Sequence, residues 1–131
     1  MDKYTLMCSK LKPLQEGWEP KTGDWVYRKD KEEKFCLYYN EEHGAPPRKY
    51  IDPYTAVFLP SLEQLIEILE GIYIFLSFNK INNEWTASNP QTTCQFNGNT
   101  HQEALLKLVA YEKWGLTWSD EKEAWEDNNA T

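Results

Sequence analysis

The sequence is short of the residues that build disulfide frameworks, metal sites and phosphate cradles. Its 131 residues include three cysteines and two histidines. Cys8, Cys36 and Cys94 lie far apart, contain no C-x-x-C pair and are odd in number, which argues against both a disulfide scaffold and a zinc site. A reducing, cytoplasmic setting fits that usage, and residues 1–12 have no apolar run of the kind a secretory signal needs. The longest uncharged apolar stretch, residues 71–78, is far shorter than the ~20 residues of a membrane span, so no membrane partner is expected. There is no glycine-rich strand-to-helix turn, and Gly23 stands alone. Hydride and phosphoryl transfer therefore have no foothold. Positive charge is scarce as well: 14 Lys and Arg stand against 21 Asp and Glu, a net of −7. Only Arg28-Lys29-Asp30-Lys31 and Arg48-Lys49 are locally basic, which excludes direct nucleic-acid binding as an expectation. Asn129-Ala130-Thr131 matches a glycosylation sequon but carries no weight without an export signal.

Acids and aromatics are plentiful. Aromatic residues make up 15% of the chain, with six Trp and eight Tyr, enough for a large core or an adhesive surface. From residue 119 onward, Asp120, Glu121, Glu123, Glu126 and Asp127 stand against Lys122, a local net of −4. Residues 71–118 balance. The length suits one domain, read as a single α+β unit over 1–131 with an irregular arm at 1–20 and an acidic segment at 119–131.

Periodicity supplies the elements. Pro13, Gly17 and Pro20 mark the arm, with Leu11, Leu14 and Trp18 pinning it to the core. Trp25-Val26-Tyr27 and Phe35-Cys36-Leu37-Tyr38-Tyr39 read as a hairpin. Residues 40–53 hold too many breakers for helix or strand and read as a long surface loop of possible functional use. Residues 55–59 are extended. Ser61 and Gln64 then form a capping box for a helix whose apolar face is Leu62, Leu65, Ile66 and Leu69, ended by Gly71 with Ile72 folding back on Ile66. Tyr73-Ile74-Phe75-Leu76-Ser77-Phe78 is apolar on both faces and reads as a central strand. Residues 84–87 and 92–96 continue an antiparallel meander. Thr100 and Glu103 cap a second helix, with Ala104, Leu105, Leu108, Val109 and Tyr111 as its stripe and Gly115 at its end. Trp118 and Trp125 flank a polar segment, read as a hairpin in preference to a short helix. The expected architecture is an antiparallel sheet of about five strands packed against two amphipathic helices, with no internal repeat.

Catalytic chemistry finds no constellation, and neither a catalytic residue, a metal nor a cofactor is expected. His101 falls beside a helix cap. His43 has two carboxylates beside it in Glu41-Glu42-His43-Gly44, but adjacent residues of an extended chain point to opposite sides and no second His or Cys is near. Trp25, Trp85 and Trp114 lie inside predicted elements and read as packing residues. Trp18, Trp118 and Trp125 lie in arms or at the acidic end, where an aromatic beside carboxylates matches a protein-binding hot spot. The candidate partner-contacting residues are therefore Trp18, His43, Trp118, Asp120, Glu121, Glu123, Trp125 and Glu126.

Phe58-Leu59-Pro60-Ser61-Leu62-Glu63-Gln64-Leu65, followed by Thr100-His101-Gln102-Glu103-Ala104-Leu105-Leu106-Lys107 and by Trp114-Gly115 to Trp118, resembles small accessory proteins encoded by phages and prophages of Firmicutes. The resemblance covers the C-terminal half, transfers no catalytic residue, and implies a phage-accessory origin in a bacterial cytoplasm. The resulting expectation is a non-enzymatic interaction module that binds a host or phage protein, such as an inhibitor of host defence. Its alternatives are an acidic mimic of nucleic acid and a small-ligand or nucleotide-binding domain, with a homodimer compatible with each.

Overall fold

The computed structural model describes residues 1–37 and 55–127. The loop expected at 40–53, with His43, and the sequon at the chain's end lie outside the described residues. The chain divides into two compact units, Met1–Ser61 and Leu62–Thr131. Among the described residues they hold four helices and three small antiparallel sheets, a mixed α+β architecture. The strands do not join in one sheet of about five, because they are distributed between the two units and a separate C-terminal hairpin.

The first unit begins with α1 (Lys3–Lys10) and α2 (Lys12–Glu16), where an irregular arm was expected. Asp2 caps α1, its carboxylate accepting the Thr5 N–H at 2.8 Å. Pro13 sits in the first turn of α2, where its missing N–H costs nothing, so the residue read as a breaker is a helix start. Met7, Cys8, Leu11 and Leu14 are buried at helical spacing, with α1 and α2 packed on β3. The sheet has the order β2-β1-β3, formed by β1 (Trp25–Arg28), β2 (Glu33–Cys36) and β3 (Ala56–Leu59). Val26, Val57, Phe58 and Leu59 complete its core, whereas Trp25, read as a packing residue, is about half exposed.

Gln15 performs an unusual service for this sheet. Its Oε1 accepts the Phe58 N–H at 2.8 Å and its Nε2 donates to the Phe58 carbonyl at 3.0 Å. The carboxamide thus satisfies the β3 backbone as a further strand would, and Nε2 also reaches the Cys8 carbonyl of α1.

The second unit is built on α4 (His101–Trp114). The Thr100 hydroxyl accepts the Glu103 N–H at 3.1 Å while the Glu103 carboxylate accepts the Asn99 N–H at 2.9 Å, a reciprocal cap displaced one residue from the usual box. Gly115, at φ 66°, closes the other end. Seven of its residues are buried, among them Leu105, Leu106, Leu108 and Val109, so α4 is a central helix rather than one with a single apolar stripe. Against it pack α3 (Leu62–Ile68) and a sheet of order β4-β5-β6, made of β4 (Phe75–Asn79), β5 (Glu84–Asn89) and β6 (Cys94–Gly98). On α3 Leu65 is buried, as is Leu69 just past its end, but Ile66, assigned to the core face, is exposed. Register places Leu76, Ala87 and Phe96 on the face that meets α4, where Phe96 packs on Tyr111 at 5.4 Å between ring centroids. Gly98 lies so close to the helix that a Cβ there would fall 2.6 Å from the Ala104 backbone nitrogen.

The meander is present, but β5 is its centre, not the 73–78 run. Among the described residues β4 is an edge strand.

All four hairpins share one connection. Each loop has four residues, and its last residue is left-handed: Glu32 (φ 51°), Asn83 (53°), Thr93 (60°) and Glu123 (49°). In three of them the residue before the loop braces the turn with its side chain. Asn79 accepts the Ile81 N–H, Asn89 the Gln91 N–H, and Ser119 the Lys122 N–H.

Candidate functional site

Gly115 turns the chain directly from α4 into β7 (Leu116–Ser119), which pairs with β8 (Ala124–Asp127). The sequence segment that left hairpin and helix open is therefore a hairpin. Trp118 and Trp125 lie directly opposite each other, with ring centroids 5.2 Å apart and planes at 64° in an edge-to-face contact. Both indoles are half-buried. Trp118 Nε1 donates to Asp120 Oδ1 at 3.0 Å, which ties the indole to the acidic loop. Lys122 meets Glu126 at 2.8 Å, and the carboxylate holds its ammonium above the ordinary lysine range. Six of the expected contact residues, Trp118, Asp120, Glu121, Glu123, Trp125 and Glu126, are thus gathered on one hairpin.

Register sorts them further. Trp118 and Trp125 share a face with Leu116 and Asp127, while Glu126 stands opposite Thr117 on the other face. An indole pair with Asp120 bonded to one ring and Asp127 on the same face suits an arginine or lysine side chain, which gains from the ring faces and from the acids together.

Trp18 is not part of this arrangement. It lies in the first unit, stacked on Phe58 with centroids 5.0 Å apart and planes within 1°. Its Nε1 donates to Asp24 Oδ2 at 2.9 Å, and the same buried carboxylate oxygen accepts the Lys21 N–H. Those contacts make Trp18 a packing anchor of the first sheet. His43 lies outside the described residues. His101 packs edge-on against Trp85 at 5.3 Å, beside the start of α4.

Sequence reasoning missed a second surface. Tyr73, Phe75, Phe78 and Ile81 are 66, 63, 43 and 95% exposed on or beside β4. Phe78 leans on Trp85 at 5.0 Å, but Phe75 falls on the face turned away from α4, which is otherwise polar with Ser77, Thr86 and Ser88, and Tyr73 lies just ahead of the strand. An apolar run with aromatics on both faces has the same pattern whether neighbouring strands cover it or not, so the sequence held no sign of its edge position.

Among the described residues the cysteines are free thiols, with Cys8 buried and pushed well above the ordinary thiol range by that burial. No three His, Cys, Asp or Glu side chains among them converge as metal ligands, and no helix among them is long and apolar enough to cross a membrane. In comparisons with protein-family models, curated proteins and solved structures, nothing matches this chain.

Proposed function

We propose that this chain is a non-enzymatic protein-interaction module whose C-terminal hairpin docks on a basic face of a partner protein. The observation that carries the reading is the cross-strand pair Trp118–Trp125, braced by Asp120, with Asp127 on the same face and Glu121 and Glu123 in the loop that joins the strands. A two-stranded hairpin alone is marginal in water. This one is held by the indole pair and by packing against α4, so its acids are presented on a fixed frame. In a phage setting, the fitting partner is a host protein, including a defence protein whose nucleic-acid site the acids would occupy in place of phosphates.

The test is capture from a bacterial lysate on the immobilised full chain, at several salt concentrations, beside the triple variant Asp120→Asn, Glu121→Gln, Glu123→Gln. A protein held by the native chain, lost from the variant and released by salt supports the reading. Release of the same protein by duplex DNA identifies the nucleic-acid-mimic form. Capture of the same proteins by both chains, or of none, overturns it. A thermal-shift screen against nucleotides and metabolites covers the small-ligand alternative, which a clear rise in midpoint with one compound would favour.

A further inference from the structure

The two three-stranded sheets have four edges, and three are guarded. β2 carries Glu33 and Lys34, charges that discourage pairing, with Lys34 bonded to Asp2. β3 is sealed by the Gln15 carboxamide. β6 is crossed by Lys107, whose ammonium donates to the Asn97 carbonyl at 2.6 Å. β4 has none of these devices. Residues 71–79 include no charge and no proline, and among the described residues no strand pairs with its outer edge.

We propose that the free edge of β4 pairs antiparallel with the same edge of a second copy of this chain, joining two three-stranded sheets into one of six. This goes beyond the hairpin reading, involves different residues, and stands or falls separately.

Three observations favour a second copy as the occupant. An edge strand paired antiparallel with itself is two-fold symmetric, so the contact closes at two chains. Electrostatics agree: a chain of net −7 repels its own copy wherever acids face, and the uncharged 71–79 segment is a strip where that repulsion is absent. Area agrees as well. At about 200 Å² for a fully exposed large apolar side chain, the exposures of Tyr73, Phe75, Phe78 and Ile81 leave about 500 Å² per copy. Two copies then cover up to about 1,000 Å², the lower bound for a specific interface, so the dimer is weak and concentration-dependent.

The register that overlaps all of β4 is centred on Ser77. It sets Leu76 against Phe78 of the second copy, and the reciprocal pair likewise, on the face that meets α4. Phe75 stands beside Asn79 of the second copy on the outer face. The two Ser77 residues meet at the axis, with Cα atoms about 4.5–5.5 Å apart.

The experiment uses the full chain in two parts. Sedimentation velocity over a concentration series should show a monomer passing to a species of twice its mass and no larger. Ser77→Lys, at an exposed position that leaves the monomer's packing intact, places two like charges opposite each other and should shift the midpoint at least tenfold to higher concentration. In a background carrying Cys36→Ser and Cys94→Ser, Ser77→Cys should form an intermolecular disulfide under mild oxidation, because the axis separation lies within disulfide reach. Thr86→Cys, on the same outer face but one strand inward, should not. A chain that stays monomeric at all concentrations, assembles without limit, dimerises equally with Ser77→Lys, or crosslinks equally at residues 77 and 86 overturns the proposal.

Discussion

The four left-handed loop residues form an internally controlled experiment. Glu32, Asn83, Thr93 and Glu123 occupy the same position in four hairpins with φ between 49° and 60°. An L-residue there pays roughly 1–2 kcal/mol, through the approach of its Cβ to the following carbonyl. The cost is highest for β-branched Thr93 and small for Asn83, whose side chain tolerates the region. Glycine removes that strain and returns about 0.5–1 kcal/mol through the greater freedom of the unfolded chain. The structure adds little to the balance at Thr93, whose exposed hydroxyl bonds only the preceding carbonyl of Thr92. Thr93→Gly should therefore stabilise by about 1 kcal/mol, Glu32→Gly by about half that, and Asn83→Gly should be neutral or slightly harmful. At about 4 °C per kcal/mol for a chain of this size, thermal unfolding resolves the order, and urea midpoints check it independently. Thr93→Gly no more stable than Asn83→Gly would refute the strain argument, whatever the absolute values. Asn83→Val, the reverse perturbation, should destabilise by more than 1 kcal/mol by about the same reasoning.

Gly98→Ala should destabilise by about 1–3 kcal/mol, because the new methyl meets backbone of α4 at 2.6 Å and the helix start must move; a denaturation midpoint equal to the native one would show that β6 and α4 part easily. Gln15→Ala leaves the Phe58 N–H and carbonyl without their side-chain partner, with an expected loss of about 1–3 kcal/mol and faster amide exchange at Phe58. Asp2 sets an acid dependence. Burial raises its carboxyl, but the Lys34 ammonium and the Thr5 N–H outweigh that and bring it from the ordinary 3.8 to about 2. A lowered folded-state value means stabilisation that is complete above about pH 4 and is lost as pH falls towards 2. Asp2→Asn keeps a capping oxygen but not the charge, so its melting temperature should fall less steeply than the native one between those values.

Much of the local structure was legible because its causes are local. Thr100, Glu103 and Gly115 specify the ends of α4 through their own side chains and φ angles, and the β propensity of Trp118 and Trp125, rather than their spacing, favoured the hairpin that they form. The arm was read as irregular although the signals of its helices were in the sequence, with Asp2 as a cap and Met7, Leu11 and Leu14 at helical spacing. Pro13 hid them, because a proline that starts a helix and one that breaks a chain differ only in context. The partition of strands into sheets was not legible. Whether Phe75 is central or peripheral depends on which strands find it, a long-range matter with no trace in its own sequence. The recurring hairpin loop escaped for another reason. What recurs is a backbone conformation, which KDKE, KINN, PQTT and DEKE all reach: two of them end in Lys-Glu, but no position carries one residue in all four. For the candidate site, the acids and tryptophans of the C-terminal hairpin were named in advance and the β4 edge was not. Trp18, read both as a pin of the arm and as a partner contact, is held through its hydrogen bond to the buried Asp24.

The edge-to-face contact of Trp118 with Trp125 gives the C-terminal hairpin an optical signature of its own. Two indoles held 5.2 Å apart at 64° couple their electronic transitions, which produces a circular-dichroism couplet that isolated tryptophans lack. The other four tryptophans contribute fluorescence but form no such indole pair among the described residues. The couplet therefore follows this hairpin alone, and its loss ahead of the helical signal on warming would report fraying of the acidic end while α4 remains folded.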